Sequence, residues 1–172
     1  MPNEPLFFAL RDNRKTALEG MSEAEGYWYN YGEVILGGAA VWGKGHEWAA
    51  PPVYMRYLGE AGGDPVEGAE QPYRSFRRFD VFEMSVPIKD EDAPFDHELK
   101  ARRVQMDIHT ALMADTTCGA SGGVAGRPRC TDLSDLAWEP AGATTEPEGG
   151  ILRVRYAVRY EHITGDMSSA DH

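Results

Sequence analysis

Gly119-Ala-Ser-Gly-Gly123 has the letters of a nucleophile elbow, G-x-S-x-G. That chemistry needs a strained turn from strand into helix, which lifts the serine hydroxyl clear of the sheet. Here the five residues follow a helical stretch and stand among small residues, so they read as a flexible loop. Gly43-Lys44-Gly45 lacks the spacing and the Ser/Thr of a phosphate-binding loop. The histidines His46, His97, His109, His162 and His172 show no short metal-ligand spacing; His97 and His109 stand 12 positions apart, more than three turns along one helix. Asp90-Glu91-Asp92 offers oxygen ligands but lacks the central Gly and final Glu of a calcium loop. Nucleophile, base and oxyanion donor do not come together anywhere. No catalytic, cofactor-binding or metal-binding residue is expected, and the chain reads as non-enzymatic.

Two cysteines, Cys118 and Cys130, flank a Gly-rich stretch. They are either free thiols in a reducing compartment or a bridge that closes a short loop and stabilises by about 3 kcal/mol. Two cysteines alone make no structural zinc site.

The arginines form the clearest chemical pattern. Arg153, Arg155 and Arg159 recur at every second or fourth position of one strand, and Arg74, Arg77 and Arg78 open another. One reading is ordinary salt bridging across a sheet, worth little per exposed pair. The other is a subunit interface in which Arg153, Arg155, Arg159, Arg77 and Arg78 dock against acidic surfaces of neighbouring copies, fixing register. Glu83, between Phe82 and Met84, is expected on the solvent face, with pairing to an arginine of the last strand as the alternative.

The chain has 172 residues, and about 100–200 residues make one domain. One domain over 1–166, with 167–172 as a flexible tail, is the expectation. Acidic residues outnumber basic ones 28 to 17, for a net charge of −11. Of the 17 cations, 13 are Arg and 4 are Lys; Arg is the better residue for directional, partly buried pairing. Such a balance argues against simple phosphate-backbone binding and implies repulsion between copies unless specific interfaces overcome it. No stretch approaches the ~20 apolar residues of a membrane span. The opening Met1-Pro-Asn-Glu-Pro5 lacks the basic start and apolar run of a signal peptide, so synthesis in the cytoplasm is expected.

Periodicity supplies the elements. Residues 4–24 read as a helix with Leu6, Leu10 and Ala17 on one stripe, Phe7 and Leu18 beside it, and Arg11, Asp12, Arg14 and Lys15 opposite. Residues 27–36, rich in aromatic and β-branched types, predict a strand with Tyr27, Tyr29, Tyr31 and Ile35 on one face. Residues 53–58 predict a second strand, 59–73 an exposed loop and 74–88 a third strand. The apolar parity slips between Val81 and Phe82, which means a bulge or burial on both faces. Residues 94–114 are the clearest helix, with Ala101, Val104, Ile108, Ala111 and Leu112 on one stripe and Lys100, Arg102, Arg103, Gln105, Asp107 and Thr110 largely off it. A Gly-rich loop over 115–130 leads to a strand at 133–138. In the last strand, Leu152, Val154, Tyr156, Val158 and Tyr160 alternate with Arg153, Arg155, Ala157, Arg159 and Glu161. The order α-β-β-β-α-β-β predicts an α+β fold: a mainly antiparallel sheet packed by two helices.

This order, with PPVYMRYLGE (51–60), RSFRRFDVFEMSVPIKDED (74–92), DIHTALMAD (107–115) and ILRVRYAVRYEHITGD (151–166), resembles the tail terminator (tail-completion) proteins of long-tailed bacteriophages. The likeness spans residues 4–166 and lies in element order and texture; the 59–73 loop and the two cysteines have no match in it. The resemblance implies a homohexameric ring that caps the tail tube at its head-proximal end, stops its polymerisation and joins the head-tail connector or stopper protein. It implies the tail tube protein as a partner and a virion location after assembly in the host cytoplasm. It also implies DNA passing through the lumen without specific binding, which an acidic lining would favour. Loops 59–73 and 115–130 are the candidate tube or connector contacts. Two other readings compete: another neck or stopper protein, and a small ligand-binding or hydrolytic α+β domain with Tyr27, Trp28, Tyr29, Tyr31 and Trp42 around an aromatic pocket.

Overall fold

A computed structural model describes residues 6–40, 49–65, 75–89, 97–114, 129–140 and 149–163. The sites weighed above at Trp42, Gly43–Gly45, His46, Arg74, Asp90–Asp92, Cys118, Gly119–Gly123 and His172 lie outside them.

The strict alternation of residues 152–158 makes a long strand with two unlike faces, and the rest of the sheet is arranged around it. The elements are α1 (Leu6–Glu19), a 3-10 turn (Glu23–Glu25), β1 (Val34–Leu36), β2 (Val53–Pro65), β3 (Ser75–Lys89), α2 (His97–Met113), β4 (Arg129–Pro140) and β5 (Gly149–Ile163). The strands lie in the order β1-β2-β3-β5-β4. All pairs are antiparallel except the short β1–β2 edge. The fold is α+β, a mainly antiparallel sheet packed by two helices, as the periodicity predicts.

The core lies between the helices and one sheet face. Register puts Met55, Met84 and Val154 in one row, and Phe82 with Tyr156 and Val86 with Leu152 in the rows beside it. These side chains pack with Leu10 and Leu18 of α1 and with Ala101, Val104, Ile108, Ala111 and Leu112 of α2. The predicted stripe of α2 is thus buried in full. The parity slip at Val81–Phe82 resolves as burial on both faces: residues 82–88 are all buried, and β3 pairs with β5 without interruption. The irregularity falls instead on β2, where the register shifts between Tyr57 and Gly59. Gly59 there has φ +131°, which an L side chain rarely adopts.

Four expectations need correction. Residues 59–65 continue β2 rather than forming loop; pairing with β3 outweighs their Gly and acidic content. β4 begins at Arg129, so Cys130 is in a strand, opposite Val158. Of the predicted 27–36 strand only Val34–Leu36 forms. Gly32 enters it with its N–H on the Pro51 carbonyl at 2.9 Å, so close that an added Cβ would sit 2.9 Å from the Ala50 carbonyl oxygen.

The fourth correction is Arg14, which stands between Leu10 and Leu18 at four-residue spacing and is fully buried rather than solvent-facing. Its Nη1 donates to the Leu112 carbonyl in the last turn of α2 at 2.7 Å, and Nε and Nη2 donate to Asn13 Oδ1. A cation at the negative end of a helix satisfies a carbonyl that the helix itself leaves open. Arg14→Ala is therefore expected to lower stability by about 2–3 kcal/mol, against within about 0.5 kcal/mol for Lys15→Ala on the exposed side. Urea denaturation of the two variants checks this.

Candidate interaction surface

The sheet face turned away from the core carries the arginine pattern, and its centre is a buried carboxylate. Register sets Arg56 of β2, Glu83 of β3 and Arg155 of β5 in one row, with Asp135 at the matching position of β4. Arg153 is the diagonal neighbour, opposite Ser85. Glu83 is 1% exposed, against 40% for Arg56, 20% for Arg153 and 48% for Arg155. Arg56 binds Glu83 Oε1 through Nε at 2.9 Å and Nη2 at 2.7 Å. Arg153 Nη1 reaches Oε1 at 3.4 Å, and Arg155 Nε reaches Oε2 at 3.3 Å. An ionised carboxylate out of water must be paired and hydrogen-bonded; here three guanidiniums from two flanking strands do so. Glu83 thus takes the alternative reading. It does not face solvent: its two oxygens are taken up by the three guanidiniums, and along the strand Ser85 Oγ accepts the N–H of buried Ala40 at 2.8 Å.

Two of the expected interface arginines, Arg153 and Arg155, therefore bind within the chain as well as standing at the surface. The side chains of Arg77, Arg78 and Arg159 are not among the described ones. In register, Arg77 lies opposite Glu161, Arg78 opposite Tyr160, and Arg159 between Phe79 and Arg129. Arg56 was not singled out in the sequence, because only the β2–β3 register brings it to Glu83. The Cys118–Cys130 pairing lies outside the described residues.

A second buried carboxylate stitches the aromatic segment to α2. Asp107 is 3% exposed. Its oxygens accept the Trp28 N–H at 3.0 Å, and Oδ2 accepts the Tyr31 hydroxyl at 2.8 Å. Burial, and then the Asp107 charge, push the Tyr31 hydroxyl far above its ordinary pKa. Arg103, one turn before Asp107, lies over the Trp28 ring at 4.4 Å. These contacts replace the strand predicted at 27–31. The signal for Asp107 was its place beside Ile108, at the margin of the buried stripe.

Among the described residues, Tyr27, Trp28, Tyr29 and Tyr31 enclose no deep pocket. Tyr27, Tyr29 and Tyr31 pack against the core, and Trp28 is exposed. Tyr29 lines an open cleft of about 230 Å³ with Asn30, Pro87, Lys89, Lys100 and Val104 among others. The Tyr29 hydroxyl and His109 Nδ1 are buried without a hydrogen-bond partner. Among the described residues, no three His, Cys, Asp or Glu side chains are grouped to hold a metal ion, and no helix is long and apolar enough to cross a membrane.

The two carboxylates give separate expectations. Glu83→Gln should cost about 2–4 kcal/mol, because it removes the charge that three guanidiniums share. Arg155→Gln should cost under about 1 kcal/mol, since its half-exposed group returns to water; chemical denaturation of both variants tests the asymmetry. Tyr31→Phe should cost about 1.5–3 kcal/mol at neutral pH, as a hydrogen bond to a charged acceptor. The folded state holds the Tyr31 proton more tightly than the unfolded chain does. Its contribution is therefore complete below about pH 10 and is lost as pH rises beyond. Melting curves of wild type and Tyr31→Phe should converge above that pH. The sequence matches no protein-family model and no curated protein.

Proposed function

We propose that this chain is a structural virion protein of the tail-terminator kind: a ring, homohexameric by that resemblance, that caps a phage tail tube and joins it to the head connector or stopper. The observation that supports it most is the division of the sheet. Both helices pack on one face, and the other presents half-exposed Arg56 and Arg155 around a buried glutamate on the longest strand pair. A chain of net charge −11 meets its own copies with repulsion, and a cationic strip on a stiff ladder is a means of overcoming it locally. The action is geometric: one ring face continues the tube, the other does not, and growth stops. An acidic lumen would let DNA through without holding it.

The cleft of about 230 Å³ falls below the range of roughly 300–1,000 Å³ usual for small-molecule sites, so this cleft lends the ligand-binding or hydrolytic reading no support. A neck or stopper protein would share the ring and differ in where it sits. Negative-stain electron microscopy of the purified protein, alone and mixed with tail tubes, separates these. Rings seated at one tube end are the expected result. Rings that bind portal-side proteins but ignore tubes would move it to the neck, and a monomer that binds neither would overturn the ring.

A further inference from the structure

We infer that the outward side of α2 is a subunit contact that receives an acidic surface of a second copy of this chain. The inference rests on the self-assembly proposed above and adds a second contact surface to the sheet strip named there. Leu99, Arg103, Met106 and Thr110 recur at spacings of four, three and four, so they fall within about 60° of one another around the helix. That stripe is opposite the buried one of Ala101, Val104, Ile108 and Leu112. The outward side of α2 therefore carries two exposed apolar side chains, Leu99 and Met106, beside Arg103 and Thr110. Leu99 is 45% exposed and Met106 57%, and the Trp28 ring, 51% exposed, extends the patch from beneath Arg103.

Composition and charge identify the occupant. Trp, Met and Arg are the residue types enriched at the centres of protein interfaces. The described ionic side chains on or beside this stripe are Arg102 and Arg103, while Lys100 turns to the cleft that Glu23 also lines; the one described carboxylate of α2, Asp107, is buried and bound to Trp28 and Tyr31. This is a basic and apolar patch on a chain whose net charge is −11. Laid against itself across a two-fold axis it would oppose like charges. Laid against the acidic remainder of another copy it is complementary. The contact is therefore heterologous, patch to a different surface, the kind that closes into a ring when the rotation between copies closes.

The test uses full-length protein with Met106→Asp and Leu99→Asp, and Phe8→Ser as a control on the exposed side of α1. Both α2 variants should keep wild-type melting temperatures, because the altered side chains face water, and should weaken self-association at least about tenfold by analytical ultracentrifugation. The control should assemble as wild type does. A photo-crosslinking residue at position 106 should join chain to chain. Wild-type rings that survive both substitutions would overturn the α2 contact and leave the ring reading standing. Crosslinks from position 106 to tail tube protein alone would overturn the choice of occupant. A wild-type chain that stays monomeric, with or without tubes, would overturn both.

Discussion

A carboxylate with almost no access to water sets the terms for the centre of this molecule. Glu83 can remain charged only where cations meet it, and those cations come from the strands on either side. The need is met at a single register. Slipping β2 or β5 by one residue would carry every core methionine, valine and leucine on it to the wrong face and leave Glu83 against apolar neighbours. The row Arg56–Glu83–Arg155 thus aligns three strands, and the alignment decides which face the helices cover. Individually such pairs add little stability; their value here is that the alternatives strand a buried charge.

Asp107 and Arg14 follow the same logic at the helix layer. Each is a charged group with nearly all its surface buried, and each reaches a backbone or hydroxyl group distant in sequence, Arg14 binding its neighbour Asn13 as well. Asp107 fastens residues 28–31 to α2, and Arg14 fastens α1 to the end of α2. Between them they fix the second helix, whose outward side then presents Leu99, Met106 and the Arg103–Trp28 stack at a defined place.

The parts of this arrangement written in local periodicity were legible from the residues alone. The alternation of 152–158 and the stripe of Ala101 to Leu112 gave strand, helix and core face without ambiguity. What escaped was whatever depended on a partner far along the chain. Arg14 has the look of a solvent-side arginine until Leu112 is beside it. Tyr27 to Tyr31 have strand composition, yet Asp107 takes the Trp28 N–H and the Tyr31 hydroxyl. Residues 59–65 have loop composition, yet β3 offers them a ladder. The arginines of β5 were visible as a cationic face, but their convergence on Glu83 required the register of β2 as well.

The order of strands has a consequence for how the protein is made. β3 and β4 are not neighbours; β5 lies between them. During synthesis both leave the ribosome before the strand that joins them. Until residues 149–163 emerge, β3 has one open edge, Glu83 lacks two of its three arginines, and β4 has no strand to pair with. Assembly of the sheet is thus postponed to its latest strand, and a nascent chain stalled before that point holds an exposed edge and an incompletely paired buried charge. A chain that must not meet its neighbours too early would be kept in that state for as little time as translation allows.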